Sequence, residues 1–242
     1  MRNKDFDYGR YYQQFSINDE ENIDKQISFN MVFLNPLKTL DRGSNILEIG
    51  CGRGFTMLTL EKMGFHNIKG IDIDDSQIDF GKKLGLNVEL VEDTVEFLNQ
   101  CKEQYDAVIA FDVFEHMHKD ELMLVLSKIY SLLKKEGVLI CKVPNANHPL
   151  SMRYRYIDWT HYISFTEMSL DFILYNSGFQ SISVYEEPYV RIENNLVKNV
   201  LCEFLWKWNR WRIHFQYAME FGRAGFKIPT TLNIMAEARK EG

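Results

Sequence analysis

The sequence predicts an α/β fold, a doubly wound parallel sheet with helices on both faces, and two observations carry that prediction. Short apolar runs of strand length alternate with helical stretches from residue 45 to residue 186, the pattern of parallel strands joined by helical crossovers. The first run, Asn45-Ile46-Leu47-Glu48-Ile49, breaks into glycines at 50, 52 and 54 and leads into a helix from Thr56 to Met63. A glycine-rich strand-to-helix turn lets a ligand approach the main chain, and the helix aims its unpaired N–H groups at whatever sits above it.

Bulk properties set limits on the reading. A chain of 242 residues accommodates one domain with an insertion, and 45% hydrophobic with 26% charged residues is ordinary for a globular protein. The net charge of −6 argues against broad contact with a phosphate backbone, so no nucleic-acid partner is expected. Cys51, Cys101, Cys141 and Cys202 are scattered without a C-x-x-C pair, which suits reduced thiols. The start, Met-Arg-Asn-Lys-Asp-Phe-Asp, has no apolar run behind its charges, and no uninterrupted apolar stretch is long enough to span a bilayer. The expectation is a cytoplasmic protein.

Residues 1–44 form an N-terminal segment before the sheet. Phe6, Tyr8, Tyr11, Tyr12 and Phe15 suit either a lid over a ligand or an aromatic patch on the sheet edge, and a helix from about Glu21 to Leu40 places Ile23, Ile27, Met31 and Leu34 on a core-facing stripe. After the glycines come a strand at Ile68–Asp74, a helix from Asp75 or Ser76 to near Gly85, and a strand at Asn87–Val91. Thr94–Cys101 reads as helix, Tyr105–Phe111 as strand, Lys119–Lys135 as a long amphipathic helix and Gly137–Val143 as strand. Thr166–Asn176 is helical, Phe179–Glu186 is a strand, and Leu232–Ala238 is the last strand-like run.

One segment stands outside the alternation. From Asn194 to Gly225 the chain reads as helix, with Val197, Leu201, Phe204, Trp208, Trp211, Phe215, Ala218 and Gly222 in alternating steps of four and three, the period of a helix packed along another helix. Lys198, Lys207, Arg210, Arg212, Arg223 and Lys227 make it locally basic. It suits an insertion packed on its own domain, a homodimer contact, or a peripheral contact with an anionic membrane.

The glycine spacing decides the class of ligand. A dinucleotide site wants G-x-G-x-x-G, whereas here the glycines are 50, 52 and 54 and position 55 is Phe. The pattern Glu48-x-Gly50-x-Gly52-x-Gly54 resembles the first motif of class I S-adenosylmethionine-dependent methyltransferases. That resemblance implies a Rossmann-like seven-stranded sheet in the order 3-2-1-4-5-7-6 with the last strand antiparallel. The core is then residues 45–191 and 228–242, with 192–227 inserted, and S-adenosylmethionine is the cofactor.

Ligands of open parallel sheets bind at the carboxyl ends of the strands. Around the glycine turn, Glu48, Gly50, Cys51, Gly52 and Gly54 are cofactor-binding candidates. Asp72 ends the second strand, where it can accept both ribose hydroxyls or belong to a helix-capping turn, and Ile73 can pack on the adenine. In similar methyltransferases an acid at the position of Asp93 meets the adenine amino group and the next backbone N–H, at Thr94, meets the ring. Phe111 and Asp112 end the fourth strand and complete the cofactor set.

Asp112, Glu115 and His116 stand at i, i+3 and i+4, so a helical turn after the strand puts them on one face, as an acid/base or ligand cluster needs. Further on, Asp158-Trp159-Thr160-His161-Tyr162 can bring His161 back over the same strand ends. This set resembles a branch that includes ubiquinone-biosynthesis O-methyltransferases and the plant small-RNA 2′-O-methyltransferase. There Glu-x-x-Glu-His with a later His can hold a divalent metal, which implies Asp112, Glu115, His116 and His161 as ligands here, with Asp112 one methylene shorter than the pattern's first Glu. On the competing reading His116 or His161 is the general base and Asp112 meets the cofactor's methionine amine. His118 and His148 fall outside this spacing and read as surface or loop residues.

Asn145, Asn147, Met152, Arg153, Tyr154, Arg155, Tyr156 and Trp159 form the loop expected to roof an acceptor site. Rings and guanidinium groups suit a phosphorylated sugar, or else they are solvated arginines beside a small aromatic core. The run from Tyr154 to Thr166, the inserted helix and the Pro-x-x-Leu-Asn ending are similar to methyltransferases of bacterial surface-polysaccharide clusters. The acceptor implied is a small molecule, glycan-like or a nucleotide-linked sugar, with a quinone or catechol as the alternative. A noncatalytic, methyltransferase-like binding scaffold is the contrasting class.

Overall fold

The computed structural model describes residues 23–190 and 196–241. The N-terminal aromatics Phe6 to Phe15 lie outside the described residues. The sheet has seven strands in the order β3-β2-β1-β4-β5-β7-β6. They are β1 (Asn45–Ile49), β2 (Asn67–Asp72), β3 (Val88–Leu90), β4 (Tyr105–Phe111), β5 (Leu133–Pro144), β6 (Ser181–Glu186) and β7 (Asn233–Arg239). β1 runs parallel to both β2 and β4, and β7 is antiparallel to both β5 and β6. The order reverses between β1 and β4, so their carboxyl ends frame the crevice where open α/β sheets bind ligands.

The helices follow from alternation along the strands. In β4, Ala107 and Ile109 face one side, under α1 (Ile23–Phe33), α2 (Phe55–Lys62) and α3 (Asp75–Lys83), with Phe33, Leu60 and Ile78 closing that layer. Val108 and Ala110 face the other side, under α4 (Thr94–Gln100), α5 (Lys119–Leu132) and α7 (Glu167–Asn176), where Val125, Ile129, Leu170 and Leu174 pack. The side chains of both layers are fully buried, so truncating one of these leucines or isoleucines to alanine costs about 2–5 kcal/mol.

Several boundaries move for local reasons. The first helix stops at Phe33 because Pro36 opens a 3₁₀ turn, Asn35–Thr39, which brings Phe33, Leu34 and Leu37 into the core while Met31 turns to solvent. The expected stripe therefore keeps Ile27 and Leu34 but not Met31. α5 ends at Leu132, and the next residue already pairs with Tyr105 as the start of β5. Inside the presumed acceptor loop lies a helix, α6 (Ser151–Ile157), that buries no side chain and so leaves no periodic signature. Between β6 and β7 runs α8 (Leu196–Phe221), followed by a 3₁₀ turn, Gly222–Lys227. Its heptad-like stripe does not pack on the domain: Val197, Leu201, Phe204, Trp208, Trp211 and Phe215 are all exposed, and Arg210 and Ile213 on the opposite side are buried. Among the described residues no helix is long and apolar enough to cross a membrane.

Candidate active site

The glycine turn after β1 is built from three left-handed residues with different duties. Gly50, Gly52 and Gly54 have φ of 69°, 51° and 81°. A Cβ at Gly50 would lie 2.4 Å from Val113 Cγ2 and one at Gly54 would lie 2.2 Å from Leu86 Cδ1, so those two glycines permit packing. At Gly52, among the described residues, an added Cβ meets nothing nearer than Gln77 Oε1 at 3.8 Å. The middle glycine thus faces the open side of the turn, where a cofactor can approach the backbone.

Asp72 holds this turn to the next one. Its Oδ2 accepts the Gly52 N–H at 2.9 Å and its Oδ1 accepts the Asp74 N–H at 2.9 Å. Asp74, not Asp72, caps α3, accepting from the N–H groups of Ser76 and Gln77. Ile73 is exposed beside them. Asp93 caps α4 by accepting the Glu96 N–H at 2.9 Å, with Thr94 as the first helical residue. Phe111 meets Phe33 edge-on, with ring centroids 6.1 Å apart. Gly52, Asp72, Asp93 and Phe111 accordingly follow or end β1, β2, β3 and β4 along one sheet edge.

Glu48 is buried inside β1. Burial pushes its carboxyl up to about 8; a hydrogen bond with Thr56 works against that, and the charge of Asp72 adds to it. Among the described residues its Oε2 has no hydrogen-bond partner. A buried, half-satisfied carboxyl beside the glycine turn suits a cationic group of a cofactor. Cys51, also buried, has its thiol pushed up by burial and by the nearby acids, which makes it a packing residue.

After β4 the chain turns sharply at Asp112, whose φ is 56°, into a 3₁₀ turn, Phe114–His116. Asp112 directs its carboxylate to Lys142 Nζ at 2.7 Å. Lys142 lies on β5, is 9% exposed, and has the rings of Phe33 and Phe111 within 5.1 and 5.6 Å of its Nζ. Burial alone would lower its pKa, but the Asp112 carboxylate, joined by Glu187 and Glu115, outweighs burial and raises it, so the lysine is charged.

Glu115, His116 and His161 converge. One ligand atom from each lies within 4.8 Å of the others, and Asp112 is not in the group. Glu115 is 1% exposed; burial, reinforced by the charge of Asp112, holds its carboxyl well above the ordinary range. Among the described residues Glu115 Oε2 has no hydrogen-bond partner. The 160–163 segment is fixed over this turn because Tyr162 N–H donates to the Glu115 carbonyl at 2.7 Å.

Hydrogen bonding sets the tautomers of both imidazoles. Thr160 Oγ1 donates to Asp158 Oδ1 at 2.6 Å, so toward His116 Nδ1, 2.8 Å away, it can only accept. His161 Nδ1 lies 3.1 Å from the Tyr154 carbonyl, which also can only accept. Each Nδ1 therefore carries the proton and each Nε2 the lone pair. Asp158, although burial pulls the other way, is held below the ordinary carboxylate range by the Thr160 hydrogen bonds and the two histidines. His161 Nε2 stands 4.0 Å from Glu115 Oε1 and 3.9 Å from Asp158 Oδ2. A carboxyl and two imidazoles meeting in one place can accept a proton or hold a divalent cation.

Tyr162 also borders a cavity of about 650 Å³ between α5, α6 and α7. Leu122, Met152, Ile163 and Phe172 give it apolar walls, and Lys119 and Arg155 supply cations. Tyr156 and Trp159, 66% and 79% exposed, fill no small core. Asn145 is buried and donates through Nδ2 to the Pro229 and Thr231 carbonyls, which ties the end of β5 to the entry of β7. His118, exposed, stacks on Tyr162, and His148 accepts the Leu150 N–H; both stand apart from the cluster. Sequence reasoning missed Lys142, Asp158 and Thr160. A lone lysine inside the apolar run of β5 was the signal for the first.

Comparison with known proteins agrees with this geometry. The methyltransferase-domain family matches residues 20–184. A ubiquinone biosynthesis O-methyltransferase of Dinoroseobacter shibae is 31% identical over 117 residues, 47% of this chain and 44% of that protein. One from Rickettsia felis is 29% identical over 147 residues, 59% of this chain and 55% of that protein. A ribosomal-protein methyltransferase of Dictyoglomus turgidum is 28% identical over 105 residues, 43% of this chain and 33% of that protein. The chain thus spans from a third to about half the length of these curated relatives. A crystal structure of an S-adenosylmethionine-dependent methyltransferase from Archaeoglobus fulgidus shares the fold, with a TM-score of 0.66 at 23% identity, covering 97% of this chain and 100% of that one. With the 3-2-1-4-5-7-6 sheet, the glycine turn and a family match over most of its length, the chain belongs to the class I S-adenosylmethionine-dependent methyltransferase family.

Proposed function

We propose that this protein transfers the methyl group of S-adenosylmethionine to an oxygen of a small acceptor. The observation that carries the reading is the meeting of Glu115, His116 and His161, each imidazole with its Nδ1 on a hydrogen-bonding oxygen, on the sheet edge that bears the glycine turn. The cofactor's sulfonium is already electrophilic, so the protein must align the acceptor, exclude water and take up the acceptor's proton. Glu48 and the Gly52 backbone suit the cofactor, with Asp72 fixing the turn above it. His116 or His161 Nε2 is the proton acceptor, held in the needed tautomer by Thr160 and by the Tyr154 carbonyl.

The same three side chains fit a divalent metal. Glu115 Oε2 is buried and unsatisfied, and one carboxylate with two imidazoles is a common donor set. Such an ion, when bound, acidifies a hydroxyl or orients two adjacent oxygens. Asp112 is committed to Lys142 and would have to leave that pair to join.

For the acceptor, we read a small molecule with an anionic group and an apolar part, entering over Tyr162. Lys119 and Arg155 suit a phosphate, as in a sugar phosphate or nucleotide-linked sugar of bacterial surface-glycan synthesis, and Met152 and Phe172 suit an apolar body. A quinone or catechol is the second reading, favoured by the apolar walls and by the ubiquinone-pathway relatives.

The test is turnover of S-adenosylmethionine to its demethylated product with panels of sugar phosphates and of catechols, with and without Mg²⁺, Mn²⁺ or Zn²⁺. Activity lost in both His116→Ala and His161→Ala supports the reading. No melting-point rise with either form of the cofactor would leave only a noncatalytic scaffold.

A further inference from the structure

We propose that the outward face of α8 docks the protein on an anionic membrane surface. The helix is amphipathic in an unusual sense, because its polar side is the one its own domain holds. Arg210 forms a buried ion pair with Glu186, Ile213 is buried, and the Tyr217 hydroxyl donates to the Asn147 carbonyl. Trp206 packs near Tyr189, with ring centroids 5.2 Å apart. Rolling the helix to hide its apolar side would break that ion pair and leave the partly buried Glu186 without its partner, which opposes the roll.

The opposite side is a continuous apolar strip. Phe204, Trp208, Trp211 and Phe215 are 63%, 55%, 55% and 48% exposed. Trp208 stacks on Trp211 at 5.4 Å and Trp211 on Phe215 at 5.7 Å, so the rings form a ribbon along the helix. An apolar patch of this size on a helix of 26 residues, roughly 39 Å long at 1.5 Å per residue, marks a binding surface.

Charge selects the occupant. At about 100° per residue, Lys207, paired with Glu203 at 2.7 Å, falls on one margin of the strip, and Arg212 falls on the other with Lys198 farther round. Arg223 follows in the 3₁₀ turn. The acids Glu203 and Glu220 project well away from the strip's centre, toward the domain side. A second copy, parallel or antiparallel, would bring Arg212 against a lysine or arginine of its twin, and of these margin cations Lys207 has Glu203 beside it. An anionic lipid surface answers both features: the rings enter the headgroup boundary and the cations meet lipid phosphates. A helix lying in the interface need not be apolar all round, and α8, although 26 residues long, is not apolar enough to cross a membrane.

The test is co-sedimentation of the full chain with vesicles of phosphatidylcholine alone and of phosphatidylcholine mixed with phosphatidylglycerol. The expected result is binding at least tenfold tighter to the anionic vesicles, weakened by salt, with a blue shift of tryptophan fluorescence. The double variants Trp208→Ser/Trp211→Ser and Lys207→Glu/Arg212→Glu should each lose at least tenfold in vesicle affinity. Both keep the S-adenosylmethionine-induced melting shift, which shows that the domain is intact and separates this proposal from the catalytic one. Equal binding by the variants, or no preference for anionic lipid, overturns it. So does a dimer in analytical ultracentrifugation that the tryptophan variant dissociates and that ignores vesicles.

Discussion

His116 and Thr160, 44 residues apart in the chain, share a hydrogen bond of 2.8 Å between Nδ1 and Oγ1. Because the threonine hydroxyl donates to Asp158, it accepts from His116, and this contact keeps the neutral imidazole's proton on Nδ1. Thr160→Val removes that instruction without touching the cluster. The expected outcome is a loss of about 10–100-fold in kcat with little change in the KM for the cofactor. Thr160→Ser should restore most of it, and steady-state kinetics on the three forms is the check.

Glu48 links cofactor binding to pH. Its carboxyl is raised from 4.5 to about 8, so the neutral form is the one the empty fold favours. That contribution to stability is full below about pH 4.5 and is lost as pH rises through about 8. A cationic cofactor favours the ionised form, so binding should release a proton near pH 7 and affinity should rise with pH up to about 8. Titration calorimetry in two buffers of different ionisation enthalpy measures the proton directly. Glu48→Gln should abolish the release, weaken cofactor binding, and stabilise the empty protein at pH 8 by on the order of 1–3 kcal/mol.

The glycines separate binding from folding. Gly52→Ala adds a methyl group on the open side of the turn, so cofactor affinity should fall by at least about tenfold while the strain of a left-handed alanine costs roughly 1–2 kcal/mol. Gly50→Ala drives its methyl group into Val113 and adds overpacking, so its thermal melt should fall further than that of Gly52→Ala even without cofactor. Comparing melts and cofactor titrations of the two variants decides the matter.

At Asp112 the left-handed backbone limits what the position can carry. Asparagine tolerates such a φ and keeps the shape, whereas a longer glutamate is strained there. Asp112→Asn should fold normally but leave Lys142 without its counter-charge, with a measurable drop in turnover. Asp112→Glu should melt lower than Asp112→Asn, which a thermal scan of both reads out.

The strand order, the glycine turn and the convergence of Glu115, His116 and His161 were legible because each rests on local spacing or on a resemblance carried by local motifs. The ion pair of Asp112 with Lys142 was not, since it joins neighbouring strands whose register the sequence does not print. Nor was the tautomer device of Asp158 and Thr160, which depends on a loop folding back over another turn. The stripe on α8 was visible as a periodicity. Its outward direction was not, because the same spacing describes a helix facing a core and one facing away from it. What decides between them is Arg210, whose partner Glu186 lies on β6.

The place of β7 bears on how the protein is made. β5 and β6 meet only through β7, which is threaded between them yet follows both in the chain. During synthesis both strands must therefore wait, their flanking backbone groups open to stray pairing, until residues 233–239 leave the ribosome. Sheet closure is then a late, long-range event, and the tail that completes it acts as the molecule's zip fastener.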